Sequence, residues 1–131
     1  MFLDTSGLLC FFDEKDYRHL EAQTSIKLSV SLLTANYVLA EFIPLCEARR
    51  LNRKKTLEFT ESLVPNPLIE IIWIDETIHE QGFSLLKSRL DKTYSLCDAI
   101  SFVVMNLMHV DEALTTDKHF QQEGFTKLLD S

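Results

Sequence analysis

At 131 residues, with 46% hydrophobic and 25% charged positions, the chain is long enough to bury a core without disulfide or metal staples, and its length suits a single domain spanning residues 1–131. Three Gly and three Pro exclude a low-complexity or disordered composition, and a formal net charge of −7 disfavours indiscriminate nucleic-acid binding without constraining any one surface patch. The longest uncharged run, 28–40, is too short and too polar for a membrane span, and no basic segment of a signal peptide precedes Asp4, so a cytoplasmic protein is expected.

Residues 1–12 read as a short buried strand that breaks at Asp4-Thr5-Ser6-Gly7 and resumes as an apolar helix. A polar outer helix is expected over 16–28 and a strand over 29–33. Thr34 is expected as N-cap of an apolar helix from Ala35, in which Pro44 imposes a kink or a division. Five cations in the seven residues 49–55 mark a change of composition before a helix over 53–63. The β-branched run 68–74 is the clearest strand, and Asp75 caps a helix to about Leu90 with Ile78, Phe83, Leu85, Leu86 and Leu90 turned to the core. Ser95 opens an apolar helix to Met108. A strand over 112–116, a short helix over 117–123 closed by Gly124, and a last edge strand over 125–129 complete the chain. Strands alternating with helices imply right-handed crossovers: an α/β fold of three layers, α/β/α, around a mostly parallel sheet of about five strands.

Four acids stand in apolar company. Asp4 and Asp117 follow strands; Glu41 and Asp98 lie in helices expected to pack on the sheet. In an open parallel sheet the carboxyl ends of strands border a crevice, so these four carboxylates can converge there. Each has a local alternative: Asp4 or Asp117 as a helix cap, Asp98 as the third member of a capping box with Ser95, Glu41 as a residue on its helix's outer edge. Several carboxylates brought together raise one another's pKa and cost stability unless a cation neutralises them. Carboxylates without His or Cys suit hard ions such as Mg²⁺ or Mn²⁺, which bind phosphates and activate water for in-line displacement.

The spacing of Asp4-Thr5-Ser6, Val38-Leu39-Ala40-Glu41, Ser95-Leu96-Cys97-Asp98-Ala99 and Leu114-Thr115-Thr116-Asp117-Lys118-His119-Phe120 resembles the PIN-domain family, and within it the VapC-type toxins of prokaryotic toxin–antitoxin pairs. The resemblance runs from Met1 to the final strand. It implies a PIN fold and an endoribonuclease dependent on Mg²⁺ or Mn²⁺. It also implies an RNA substrate, an antitoxin protein as partner and a homodimer. By the same resemblance Asp4, Glu41, Asp98 and Asp117 form the catalytic, metal-holding site, supported by Thr5, Ser6, Ser95 and Thr115. Some relatives carry a further acid after the fourth, where this chain has Lys118 and His119, so Asp4 and Asp98 are the expected ligands of a first ion. The rival from another class is a non-catalytic PIN scaffold that binds RNA or protein, which the presence of all four acids disfavours.

Arg49, Arg50 and Arg53 offer an RNA backbone a grip, as does Lys118, although solvated side chains explain them equally. Lys118 and His119 lie beside the site, with a solvated helix surface as the alternative to contact with phosphate. The four histidines show no metal-ligand spacing. Cys10, Cys46 and Cys97, odd in number and set among apolar residues, read as buried thiols. Trp73 is expected at the sheet's edge or a dimer surface.

Overall fold

The structure, a computed structural model, describes all residues from Met1 to Ser131. Five strands, β1 (Phe2–Leu3), β2 (Leu32–Ala35), β3 (Ile69–Ile72), β4 (Glu112–Leu114) and β5 (Thr126–Lys127), form one sheet in the order β3-β2-β1-β4-β5. Every neighbouring pair is parallel, so the expected mostly parallel sheet is wholly so. The seven helices are α1 (Thr5–Phe12), α2 (His19–Leu28), α3 (Asn36–Ala48), α4 (Arg53–Leu63), α5 (Glu76–Ser88), α6 (Leu96–Leu107) and α7 (Lys118–Gln122).

The strand order dictates the layers. From β1 to β3 the chain steps outward in one direction; it then crosses back past β1 to β4 and steps the other way to β5. Right-handed crossovers therefore put α1 to α4 on one face and α5 to α7 on the other. The packing agrees: α1 touches α2 and α3, α3 touches α4, and α5 and α7 both touch α6. Phe12, Phe42 and Phe59 stack within the first helical layer, with centroids 4.8 to 5.8 Å apart. Phe2 of the central strand meets Phe120, which packs edge-on to Phe102 of α6 at 4.9 Å on the other side. Residues Cys97 to Met105 are all buried, as a helix apolar around its whole girth must be.

Several local expectations change. The second strand lies at Leu32–Ala35, and Thr34 is inside it rather than capping α3; its buried hydroxyl donates to the Leu3 carbonyl at 2.7 Å, an interstrand bond that no local pattern announces. Helix α3 continues through Pro44 undivided. The β-branched run 68–74 is a strand as expected, narrowed to Ile69–Ile72 at the sheet's edge, with Trp73 just beyond it 62% exposed. Asp75 does cap α5 through the Ile78 N–H, but Phe83 and Leu90 turn to solvent. All three cysteines are buried and free, and burial raises the Cys97 thiol far above its ordinary value, which leaves it a core residue.

Candidate active site

The sheet reverses its winding between β1 and β4, so the loops that leave these two strands diverge and open a crevice at their carboxyl ends. Asp4 follows β1 there, and Thr115, Thr116 and Asp117 follow β4. Gly7 makes the approach possible: a Cβ on it would lie 1.8 Å from the Leu114 carbonyl oxygen, so only glycine lets α1 sit directly on β4. The crevice is lined by Asp4, Thr5, Ser6, Glu41, Leu45, Asp98 and Asp117. All four acids singled out in the sequence meet in it, with two of the four supporting hydroxyls. Ser95 and Thr115 stand behind the acids.

Asp4 is 4% exposed. It occupies the N-cap position of α1 without its side chain capping the helix, so the simple capping alternative does not account for it. Instead Thr115 donates to its Oδ2 at 2.6 Å and Ser6 approaches the same oxygen at 3.3 Å. The Thr115 hydroxyl in turn accepts from the Asp117 N–H, and the Ser6 hydroxyl from the Thr116 N–H, each at 3.0 Å. The Thr115 proton is thereby directed toward the carboxylate, and Ser6 stands 3.1 Å from the Thr115 hydroxyl as well. Burial nevertheless pushes the Asp4 pKa up to about 7, the Thr115 bond opposing and the charges of Asp98 and Glu41 adding to the rise.

Asp98 and Ser95 form a reciprocal capping box, with both bonds at 3.0 Å. The cap and the site are not exclusive. The box fixes the carboxylate's orientation as it lines the crevice, and burial raises its pKa, with the Asp117 charge reinforcing the effect and the Ser95 N–H and His119 opposing it. Asp117 likewise caps α7 through the His119 N–H at 2.9 Å while lining the crevice. Glu41 is exposed at the crevice's rim, held by the Thr5 hydroxyl at 2.7 Å.

The sequence set His119 beside the site but did not join it to the acids. His119 is no solvated surface residue: Nδ1 lies 3.1 Å from Asp98 Oδ2 and 3.3 Å from Asp117 Oδ1, and Nε2 meets the Thr93 hydroxyl at 3.2 Å. Together Asp98, Asp117 and His119 offer three donor atoms within 4.8 Å of one another. The chain spacing gave no hint, because ligand-spacing rules look within one segment and Asp98 comes from another helix. Arg49, Arg50, Arg53 and Lys118 are exposed and line none of the crevice. Arg53 is drawn to Glu47 at 3.3 Å.

No buried side-chain polar atom lacks a partner, so the cluster is satisfied in hydrogen bonds. A donor set dominated by carboxylate oxygens fits a hard divalent cation.

Comparison with known proteins agrees with this geometry. The model of the PIN domain matches residues 1–125. The crystal structure of Mycobacterium tuberculosis VapC20, described as a sarcin-ricin loop cleaving toxin, superposes with a TM-score of 0.88 at 25% identity over 96% of each chain. FitAcB from Neisseria gonorrhoeae superposes at 0.65, with 22% identity over 98% of this chain and 96% of that one. A toxin–antitoxin complex from Klebsiella pneumoniae does so at 0.62, with 18% identity over 89% and 86%. No curated protein sequence matches. With a family match over nearly its whole length and VapC20 among its structural neighbours, the chain belongs to the PIN domain family.

Proposed function

We propose that this protein is a single-domain, divalent-metal-dependent endoribonuclease and the toxin of a toxin–antitoxin pair. The observation that carries the reading is the convergence of Asp4, Glu41, Asp98 and Asp117 on one crevice, with Asp4 buried and its pKa at about 7. A carboxylate that costs this much to ionise gains most from a resident cation. The kinship with VapC20, a toxin that cleaves the sarcin-ricin loop, supports RNA as the substrate class.

Asp4 and Asp98 are the inner ligands, and Asp117 completes the set. When bound, Mg²⁺ or Mn²⁺ would polarise a phosphodiester and lower the pKa of an attacking water. The chain's own part is to hold that arrangement. Thr115 and Ser6 keep Asp4 oriented, Ser95 keeps Asp98 oriented, and Thr5 steadies Glu41. Glu41, the acid open to solvent, is placed to orient an incoming water. Arg49, Arg50, Arg53 and Lys118 supply positive charge for the RNA backbone outside the crevice.

The toxin–antitoxin complex among the structural neighbours supports an antitoxin partner. An antitoxin arginine suits the crevice because its fork pairs bidentately with clustered carboxylates. Exposed Trp73, Phe83 and Leu90 give a homodimer an apolar surface to cover. No helix is long and apolar enough to cross a membrane.

The test is cleavage of a mixed RNA substrate by purified protein with Mg²⁺, with Mn²⁺ and with chelator, beside Asp4→Asn. Metal-dependent internal cleavage lost in the variant is expected. Binding of RNA without cleavage under every metal condition would overturn the enzyme reading in favour of a scaffold.

A further inference from the structure

The imidazole of His119 is hydrogen-bonded through Nδ1 to one carboxylate of the crevice and lies close to a second. Its Nδ1 faces Asp98 Oδ2 at 3.1 Å and Asp117 Oδ1 at 3.3 Å. Ligands at right angles about an ion with bonds of about 2.1 Å stand about 3.0 Å apart, so Nδ1 already stands near that separation from each carboxylate oxygen, and the three donor atoms lie within 4.8 Å of one another. The ring is held on every side. Nε2 meets the Thr93 hydroxyl at 3.2 Å, Tyr94 packs edge-on at 5.3 Å between centroids, and the His119 N–H is fixed by Asp117. A metal-binding histidine characteristically gives its second nitrogen to an oxygen partner that fixes the ring and its tautomer, and Thr93 occupies that place. Tyr94 is itself anchored: its hydroxyl donates to Glu123, which Arg89 grips with two N–H bonds at 3.0 Å.

We propose that His119 Nδ1 is a metal ligand beside Asp98 and Asp117, and that this nitrogen makes the site select Mn²⁺ and similar transition ions over Mg²⁺. The chemistry is that of the donor set. Mg²⁺ takes oxygen ligands and keeps its waters, whereas imidazole adds affinity for first-row transition ions. An all-carboxylate site leaves the two ions close; one imidazole separates them. The inference rests on the reading of this crevice as the metal site; His119 stands behind its lining and reaches two of its acids, Asp98 and Asp117, and the proposal adds to that site one ligand and the preferred ion.

Two measurements on the intact protein test it. Pulsed EPR of the Mn²⁺-loaded protein reads a directly coordinated nitrogen, which must be present in the wild type and absent in His119→Asp. Calorimetric titrations with MnCl₂ and MgCl₂ should show Mn²⁺ preferred by roughly tenfold or more in the wild type. In His119→Asp the preference should shrink severalfold, because Mg²⁺ gains an oxygen ligand. Mn²⁺ bound without coordinated nitrogen overturns the histidine ligand and leaves the carboxylate site standing. Failure of the wild type to bind either ion overturns both. The EPR measurement on the wild type decides even if the variant does not fold.

Discussion

Thr115 Oγ1 donates to Asp4 Oδ2 at 2.6 Å, joining the ends of two adjacent strands that lie 111 residues apart in the chain. The bond is short because its acceptor is a buried carboxylate with few other donors. Replacing the hydroxyl by a methyl group, Thr115→Val, keeps the side chain's shape. It removes that donor and also strips the Asp117 N–H of its acceptor. Hydrogen bonds to charged groups contribute about 1.5–3 kcal/mol, so a loss of about 2 kcal/mol is expected at pH 8, where Asp4 is ionised. At pH 5, where Asp4 carries its proton, the loss should be smaller. Urea denaturation at the two pH values measures both; equal losses would show that the bond does not serve the charge.

The order of elements was legible because hydrophobic period and turn residues alternate cleanly along this chain. The four acids stood out because each interrupts an apolar stretch. What stayed hidden depends on contacts between distant segments. Thr34 has the composition of a cap, but its partner is Leu3 in the neighbouring strand, so the tertiary bond overrides the local signal. The run at 68–74 is rich in β-branched residues, yet sheet position follows from crossover geometry and not from propensity, and it lies at an edge. Phe83 and Leu90 have apolar chemistry without core positions. Asp98 and Asp117 show that a helix cap can also line the crevice: the Asp98 oxygen that accepts from the Ser95 N–H also meets His119 Nδ1, and the Asp117 oxygen that caps α7 approaches the same nitrogen.

Gly7 predicts a second outcome. A methyl group there would meet the Leu114 carbonyl carbon at 2.5 Å as well as its oxygen, and backbone of a central strand cannot yield as a flexible side chain does. Gly7→Ala should therefore destabilise by about 3 kcal/mol or more, against the usual gain from replacing glycine in a helix. Because α1 carries Ser6 and Thr5, whatever folds should also lose cleavage. Circular dichroism melts detect the first effect and an RNA assay the second; a variant as stable as the wild type would refute the close packing.

The burial of Asp4 fixes the pH dependence of the metal-free protein. Its folded pKa, about 7, lies above the ordinary 3.8, so between these values the folded state holds more protons than the unfolded. Stability must then fall as pH rises from about 4 to 7 and level off above, the reverse of a salt-bridged aspartate. Asp98, raised by the same cause, adds in the same direction. At about 1.4 kcal/mol per unit, roughly 4 kcal/mol is the ceiling for Asp4. Melts in chelator from pH 4.5 to 8 read the slope, and Asp4→Asn should flatten it. A metal-free protein whose stability rises across this interval would contradict the assignment.

Asp98→Asn separates the roles that one carboxylate combines. The amide oxygen still accepts from the Ser95 N–H, so the capping box is kept in outline, while one negative charge leaves a crevice crowded with them. Metal-free stability at pH 8 should stay level or rise, because a buried charge that raised its neighbours' cost is gone. Cleavage should collapse, since the cation loses a ligand. The stabilisation gained on adding Mn²⁺ should shrink as well, because that gain measures preferential binding to the folded state, about 2.7 kcal/mol when the ion stands at a hundred times its Kd. A residue that only capped its helix would behave oppositely, with a loss of roughly 1 kcal/mol, unchanged cleavage and an unchanged metal shift. Thermal melts with and without Mn²⁺, beside an RNA-cleavage assay on the same two proteins, distinguish the pair. An Asp98→Asn protein that melts earlier and still cleaves RNA would remove Asp98 from the metal site.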